Sequence, residues 1–366
     1  LRACESIQFL LPAPPPEPNL HEPKGSRSKN RAASRGVGRK SEIVLLLRMH
    51  VLGGGALGAL VAARAVAAGA KCTLLLRPSQ LQSSLTLRIS RDFDPDAAPT
   101  EHTIACEPSG ADGPEITTLV VATKAYSAVG AIEAIAPRLT PDATVVLLCN
   151  GGLSVVDRLE RAAATLLLGT TTHGAWLEHA PRAWPLPNLH VHHAGNGQTW
   201  VGPAPALQPR EESVQSALAA ARRISPALGA DAEDRELTTR RAWQKLAANC
   251  VLNPLTALWN VQNGIVLSRD EGKATSEAVC AEVAALAAKL TPECAPDADA
   301  LLEFTTNVAT ATAQNWSSMH QDLHHGRRTE IDALSGWVAE RAAALGTPCD
   351  ANAALAARVR AAEQSR

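Results

Sequence analysis

The sequence predicts an α/β domain followed by an all-helical one, and three observations carry that prediction. From Met49 a short apolar run leads into a glycine-rich turn, an alanine-rich run of helical spacing and a second apolar run. Up to about residue 202 further β-type runs follow, each ending in a polar or glycine-containing turn. After residue 211 such runs vanish, and long alanine-rich segments of helical periodicity take over. The chain has 366 residues, which suits two domains, and is 46% hydrophobic against 19% charged, so a sizeable core can form. A formal net charge of −1 gives no general attraction to nucleic acid or acidic membranes, and no apolar run is long enough to span a bilayer. The cysteines at 4, 72, 106, 149, 250, 280, 294 and 349 show no paired spacing. They read as reduced thiols of a cytoplasmic protein.

Residues 1–48 are first proline-rich and then basic, with little apolar periodicity, and are expected to be disordered. They read as an extension upstream of a start at Met49 or, from the Arg- and Ser-bearing stretch 24–40, as an organelle targeting segment, with a nucleic-acid-binding arm as a further alternative. His50–Leu52 is the first predicted strand. Gly53, Gly55 and Gly58 then satisfy G-x-G-x-x-G, Leu60–Ala68 is helix, Gly69 ends it, and Lys71–Leu76 is the second strand. Each glycine has a job in that layout: the tight turn, the close approach of backbone to a pyrophosphate, and close packing of helix on strand. The phosphates then meet unpaired N–H groups at the helix N-terminus. Residues 49–235 are accordingly assigned to a Rossmann-type dinucleotide-binding domain, with Gly53, Gly54, Gly55, Ala56, Leu57 and Gly58 as the phosphate loop. The second strand ends in Arg77, with no acid before Asp92. A guanidinium suits a 2′-phosphate, whereas a carboxylate would repel it; the expected cofactor is NADPH/NADP+, although Arg77 also fits a solvated strand end.

Ile116–Ala122 runs into Thr123 and Lys124, and Ala143–Cys149 runs into Asn150. Ligands of open parallel sheets bind beyond the carboxyl ends of strands, which makes Lys124 and Asn150 candidates, as well as plain loop residues. Leu166–Leu168 leads into Gly169–Gly174, and a hairpin-like stretch at 188–202 completes the domain. Helical segments are expected at 211–228, 236–258, 270–290, 299–325 and 328–344, with residues 236–366 forming the helical substrate and catalytic domain. Lys245, Asn249 and Asn253 stand at i, i+4 and i+8 and share one helix face, and Pro254 can kink the helix just beyond them. That face fits an oxygen-rich anionic substrate; it equally fits a satisfied internal polar network or a lysine that snorkels to water. Asn315, Ser318 and Asp322 form a second polar face. Glu330 is expected at the start of the next helix, where an ordinary first-turn acid would also sit. His190, His192, His193 and the pair His324-His325 show no recognised ligand spacing with a carboxylate or cysteine, so no metal is expected.

The motifs together resemble the ketopantoate reductase (2-dehydropantoate 2-reductase) family over about residues 49–350. The resemblance rests on VLGGGALG at 51–58, TKAY at 123–126, CNGG at 149–152 and GTTTHGA at 169–175. WQKLAANCVLNPLTALWNVQNG at 243–264, SSMHQD at 317–322 and RTEID at 328–332 carry more of it. It implies NADPH-dependent reduction of 2-dehydropantoate to (R)-pantoate, toward pantothenate and coenzyme A, in a cleft between the two domains. It also implies Lys245 as general acid, Glu330 as the glutamate contacting substrate, and Asn249, Asn253 and Ser318 as substrate ligands. Asn150 would lie near nicotinamide and substrate, Arg77 and Lys124 near the adenosine phosphate end, and Asn263 and Asn315 match the pattern as well. Tyr126-Ser127 depart from the family's usual Trp-Gln, residues 176–235 match loosely, and residues before Met49 have no counterpart. The expected partner is a small 2-keto acid, with neither nucleic acid nor membrane, in a monomer or homodimer. A reductase of another branched 2-keto acid and a non-catalytic NADP-binding redox sensor remain as alternatives. Substituting Arg77→Asp is expected to move cofactor preference from NADPH toward NADH, read as the ratio of kcat/KM for the two; an unchanged ratio would remove Arg77 from the 2′-phosphate.

Overall fold

The computed structural model describes residues 47–159, 165–178, 188–205 and 211–365, so the expectation for residues 1–48 falls almost wholly outside the described residues. Eleven strands form one sheet: β1 (Arg48–Leu52), β2 (Lys71–Leu76), β3 (Ser84–Arg91), β4 (Thr100–Pro108), β5 (Ile116–Val121), β6 (Leu139–Leu147), β7 (Thr165–Thr171), β8 (Gly174–Leu177), β9 (Asn188–Gly195), β10 (Thr199–Pro203) and β11 (Asp231–Ala232). Their order is β11-β10-β7-β6-β5-β1-β2-β4-β3-β9-β8. β1 pairs in parallel with β2 on one side and β5 on the other, and β5, β6 and β7 continue in parallel. The strand order therefore reverses at β1, and the crevice of an open α/β sheet lies beyond the carboxyl ends of the strands at such a point.

The central strands read as continuous apolar runs because both faces are covered. Alternation along each strand sends successive side chains to opposite faces. Val51, Leu74, Leu76, Val120 and Val146 enter one core with helix α1 (Ala56–Ala67) and helix α4 (Glu211–Leu228), while Leu52, Leu75, Leu119, Val121 and Val145 enter the other. That second core also takes α2 (Ala125–Ile135) and α3 (Gly152–Leu159), and runs without a break into the helical half. There α5 (Arg235–Trp259) is followed by α6 (Asn263–Val266), α7 (Asp270–Leu290), α8 (Ala298–Ala311), α9 (Ser318–His324), α10 (Ser335–Ala344) and α11 (Asp350–Gln364). Asp234 caps α5 by accepting from the Leu237 N–H, and Asn260, at φ 54°, closes it in the left-handed conformation. The fully buried Trp243 of α5 donates through Nε1 to Thr291 Oγ1 (2.9 Å), and Trp337 of α10 donates to Asp157 Oδ2 of α3 (2.9 Å). The last of these bonds fastens the helical half to the sheet.

Several sequence expectations need correction. The stretch 188–202 is not a hairpin on itself: β9 runs against β8 and β10 against β7. The two pairs belong to one bent antiparallel ribbon, joined where the Thr172 N–H donates to the Gln198 carbonyl (2.9 Å). The expected helix 299–325 is two helices, because the Ala313 and Asn315 carbonyls accept from Gly264 and Asn263 N–H groups (3.0 Å each) and Ser317 caps the second. Residues 328–344 begin not as a helix but as a 3-10 turn at Ile331–Ala333, preceded by Glu330. Helix α4 packs on the sheet through Ala217, Ala221 and Ile224. Strands β3 and β4 and helix α11 had not been anticipated.

The glycine turn shows what its sequence demands. Gly53 adopts φ +118°, a region L side chains rarely enter. A Cβ on Gly58 would lie 1.9 Å from the Gly53 carbonyl oxygen, so only glycine lets α1 start that close to the turn. Gly58→Ala is expected to destabilise the chain by about 1–3 kcal/mol through overpacking, seen as a lower denaturant midpoint together with weakened dinucleotide binding; a variant as stable as the parent would contradict this packing.

Candidate active site

Four loops converge beyond the carboxyl ends of β1, β5, β6 and β7. After β1, Gly55 is the N-cap of α1; the helix has no side-chain cap and no acid in its first turn. A Cβ on Gly55 would meet nothing within 4 Å. Backbone donors facing open space at a helix N-terminus form a cradle for phosphate, so a dinucleotide fits the loop Gly53–Gly58. Arg77 directly follows β2, is exposed, and donates from Nε to Gln80 Oε1 (3.2 Å). Its guanidinium therefore stays at the surface beside that cradle's sheet end.

Lys124, the residue before α2, has a more constrained setting. Its Nζ stands 2.6 Å from Asp322 Oδ2 and 3.5 Å from Glu330 Oε2. Burial alone would lower its pKa, but Glu330 and Asp322 outweigh that and hold the ammonium above the ordinary lysine value. Asp322 also accepts from Arg327 Nε (2.9 Å). Glu330 is 6% exposed and accepts from the Ala125 N–H at Oε1 (2.9 Å) and from Asn150 Nδ2 at Oε2 (3.4 Å). Lys124, Asn150 and Glu330 are thus one network joining the ends of β5 and β6 to the segment before α10.

Lys245 of α5 is also near Glu330. It shares a cleft with Asn249, Cys149, Gly151, Leu153 and Gly169, and its one hydrogen bond among the described residues runs from Nζ to the Thr171 carbonyl (3.2 Å). No carboxylate stands within ion-pairing distance of it among the described residues. Burial therefore pulls the ammonium below the ordinary lysine value, opposed by Cys149 and Glu330. Burial also pushes the Cys149 thiol up to about 12, so the thiol stays neutral near pH 7 and Glu330 is the anion that counts. Two of three ammonium donors remain for a ligand. An under-compensated cation in a cleft is the setting in which a lysine serves as an acid or as a stabiliser of developing negative charge.

The remaining candidates divide. Asn253, 7% exposed, lies one turn beyond Asn249 on α5. Ser318 is exposed at the first position of α9, whose cap is its neighbour Ser317. Asn263 does not line the cleft around Lys245: its Nδ2 donates to Thr312 Oγ1 (2.8 Å) and its N–H to the Asn315 carbonyl (3.0 Å), which gives both asparagines a scaffold task. Sequence reasoning missed the Ala125 N–H, the Thr171 carbonyl and the Lys124–Asp322 pair. No local pattern signals a bond between residues 198 positions apart.

A phosphate cradle at a sheet switch point, with a desolvated lysine across the cleft, defines a dinucleotide-dependent oxidoreductase. The family model "Ketopantoate reductase PanE/ApbA" matches residues 49–206, and "Ketopantoate reductase PanE/ApbA C terminal" matches residues 238–363. The chain belongs to the ketopantoate reductase PanE/ApbA family and is an NADP-dependent oxidoreductase. It is 31% identical over 327 residues to a 2-dehydropantoate 2-reductase of Vibrio cholerae, covering 87% of this chain and 99% of that one. A PanE/ApbA family ketopantoate reductase structure from Ralstonia eutropha has the same fold at TM-score 0.69 and 24% identity, covering 87% of this chain and 99% of that one. So does a D-mandelate dehydrogenase bound to NADH and anilino(oxo)acetate, at TM-score 0.72 and 18% identity, with the same shares covered.

A lowered pKa means that the unfolded chain binds more protons between that value and 10.5, so this group's contribution to stability rises with pH across that window. Followed by NMR of its ε-CH2, Lys245 is expected to titrate below 10.5, and lower still in Glu330→Gln, which removes the nearby anion. Titration at or above the ordinary value would show a compensating charge that the contacts lack.

Proposed function

We propose that this chain reduces 2-dehydropantoate to (R)-pantoate with NADPH, a step toward pantothenate and coenzyme A. The observation that carries the proposal is Lys245: an ammonium in a cleft, held by one backbone carbonyl and facing no carboxylate partner among the described residues. NADPH, when bound along Gly53–Gly58 with Arg77 at its 2′-phosphate, supplies the hydride. Negative charge then grows on the substrate's 2-carbonyl oxygen. The Nζ of Lys245 stabilises that charge and gives the oxygen a proton, an effect larger in a cleft shielded from water than in the open. The Thr171 carbonyl fixes the direction in which the ammonium points. Asn249 and Asn253 amides and the Ser318 hydroxyl hydrogen-bond the substrate's carboxylate and hydroxyl, and Asn150 sits near nicotinamide and substrate.

Glu330 has one oxygen anchored by the Ala125 N–H and the other only loosely held by Asn150. That second oxygen accepts the substrate's 4-hydroxyl, which favours this substrate over 2-keto acids lacking it, because the buried carboxylate would otherwise lose a partner. Lys124 holds Glu330 in position and reaches the cofactor only by leaving Asp322. Asn263 supports the site from behind. Residues 49–235 and 236–366 are the cofactor and substrate domains, and every group named comes from one chain, so a monomer or each half of a homodimer is complete. No described helix is long and apolar enough to cross a membrane. The seven described cysteines are all free, which supports a cytoplasmic placement.

The test is NADPH oxidation with 2-dehydropantoate and a panel of other branched 2-keto acids. Turnover chiefly of 2-dehydropantoate is expected; turnover only of another acid reassigns the substrate, and none at all favours a redox sensor. Lys245→Met is expected to fold at least as stably as the parent, since it removes a desolvated charge, while losing about 10²–10⁴-fold in kcat. Near-normal turnover in that variant would strip Lys245 of its role.

A further inference from the structure

One cluster of ligand-type side chains lies outside the cleft, on the β8–β9 arm of the bent ribbon. His190 and His192 are two apart on β9 and so project from the same face. His193 projects from the other, where its Nε2 meets His173 Nδ1 at 2.9 Å, and burial, with Arg64 next, holds both rings down at about 4. Glu178 directly follows β8, and its N–H donates to the His190 carbonyl (3.1 Å), which brings its side chain beside the two rings. One ligand atom each from Glu178, His190 and His192 lies within 4.8 Å of the others. His190 Nδ1 touches the Glu178 carboxylate, and His192 Nε2 stands 3.7 Å from Glu178 Oε2. That Nε2 is buried and has no hydrogen-bond partner among the described residues.

The outer ring nitrogens are already tied down. His192 Nδ1 pairs with Asp92 Oδ1 at 2.9 Å, and His190 Nε2 pairs with Ser90 Oγ at 2.7 Å. Nδ1–H donation to Asp92 leaves the lone pair of His192 on the inward Nε2. Donation from His190 Nε2–H to Ser90 leaves the inward Nδ1 as the ligand nitrogen once it gives up the proton it shares with the Glu178 carboxylate. A carboxylate or hydroxyl behind each histidine, fixing its tautomer and ring plane, is what metal-ligating imidazoles have. The indole of Trp176 stacks on His192 with centroids 3.9 Å apart and restrains that ring further.

We propose that Glu178, His190 and His192 bind one divalent cation of the zinc class, with a fourth position open to water. Two imidazoles and a carboxylate are borderline ligands suited to such an ion. Bonds of about 2.0–2.2 Å would set the donor atoms roughly 3.3 Å apart, so the Glu178–His192 separation needs to close by only a few tenths of an ångström. On binding, the proton that His190 Nδ1 shares with Glu178 leaves to solvent, and the metal takes its place between them. The ion then ties the end of β8 to β9 and stabilises the folded chain by mass action. The carboxylate that the spacing of the histidines had not revealed comes from the neighbouring strand.

The test is calorimetric titration of Zn²⁺ into the chelator-treated full chain, with thermal unfolding alongside. One equivalent bound and a higher Tm are expected. His192→Gln and Glu178→Gln should each abolish both effects, Asp92→Asn should weaken binding about 10–100-fold, and His324→Gln with His325→Gln should leave it unchanged. If His192→Gln fails to fold by circular dichroism, the exposed Glu178→Gln decides alone. Failure of the parent chain to take up zinc, or an equivalent retained in Glu178→Gln, would overturn the site.

Discussion

The carboxylate of Glu330 is the contact on which the geometry of the cleft turns. It is buried between two halves of the molecule, and a buried carboxylate is tolerated only where donors converge on it. Here they are the Ala125 N–H, the Asn150 amide and the Lys124 ammonium, from the ends of two neighbouring parallel strands. Satisfying that one charge therefore fixes where the segment before α10 meets the sheet. Asp322 repeats the arrangement a few ångströms away by holding Lys124 and Arg327 together. The cleft owes its shape to charges that are paired.

The chemistry proposed for it rests on a charge without a carboxylate partner among the described residues. Lys245 reaches into the same space from α5, and the fold gives it one carbonyl oxygen and a neutral thiol for company. The contrast with Lys124 is instructive, because Glu330 acts on both lysines. Burial would lower both, but Glu330 and Asp322 together hold Lys124 above its ordinary pKa, whereas burial takes Lys245 below it against the weaker opposition of Cys149 and Glu330. Position relative to carboxylates, rather than residue type, sends the pKa values of the two lysines in opposite directions.

The legible parts of the sequence were those whose signal is local. The first strand, glycine turn, helix and second strand follow from spacing alone, and the 270–290 helix keeps its anticipated ends. Lys245 and Asn249 share a helix face, and they share the cleft. Strands β3 and β4 escaped because exposed positions, Arg88 in β3 and Thr103 and Ala105 in β4, alternate with their buried ones, so neither forms the unbroken run that marks a central strand. The break after α8 carries no proline or glycine; it exists because carbonyls near residue 314 are claimed by Asn263 and Gly264. The Lys124–Asp322 and Ala125–Glu330 bonds span 198 and 205 residues, and no periodicity encodes them.

The unequal treatment of the two sheet faces has a consequence for how such chains diversify. One face is closed by helices of its own, but Leu52, Leu119, Val121 and Val145 lie in a core that also contains Trp243, Leu246 and Trp337. The helical half is thus not an interchangeable module. A replacement borrowed from another chain would have to reproduce the relief of that shared surface side chain by side chain, so changes of specificity are confined to substitutions within the cleft rather than exchange of whole lobes.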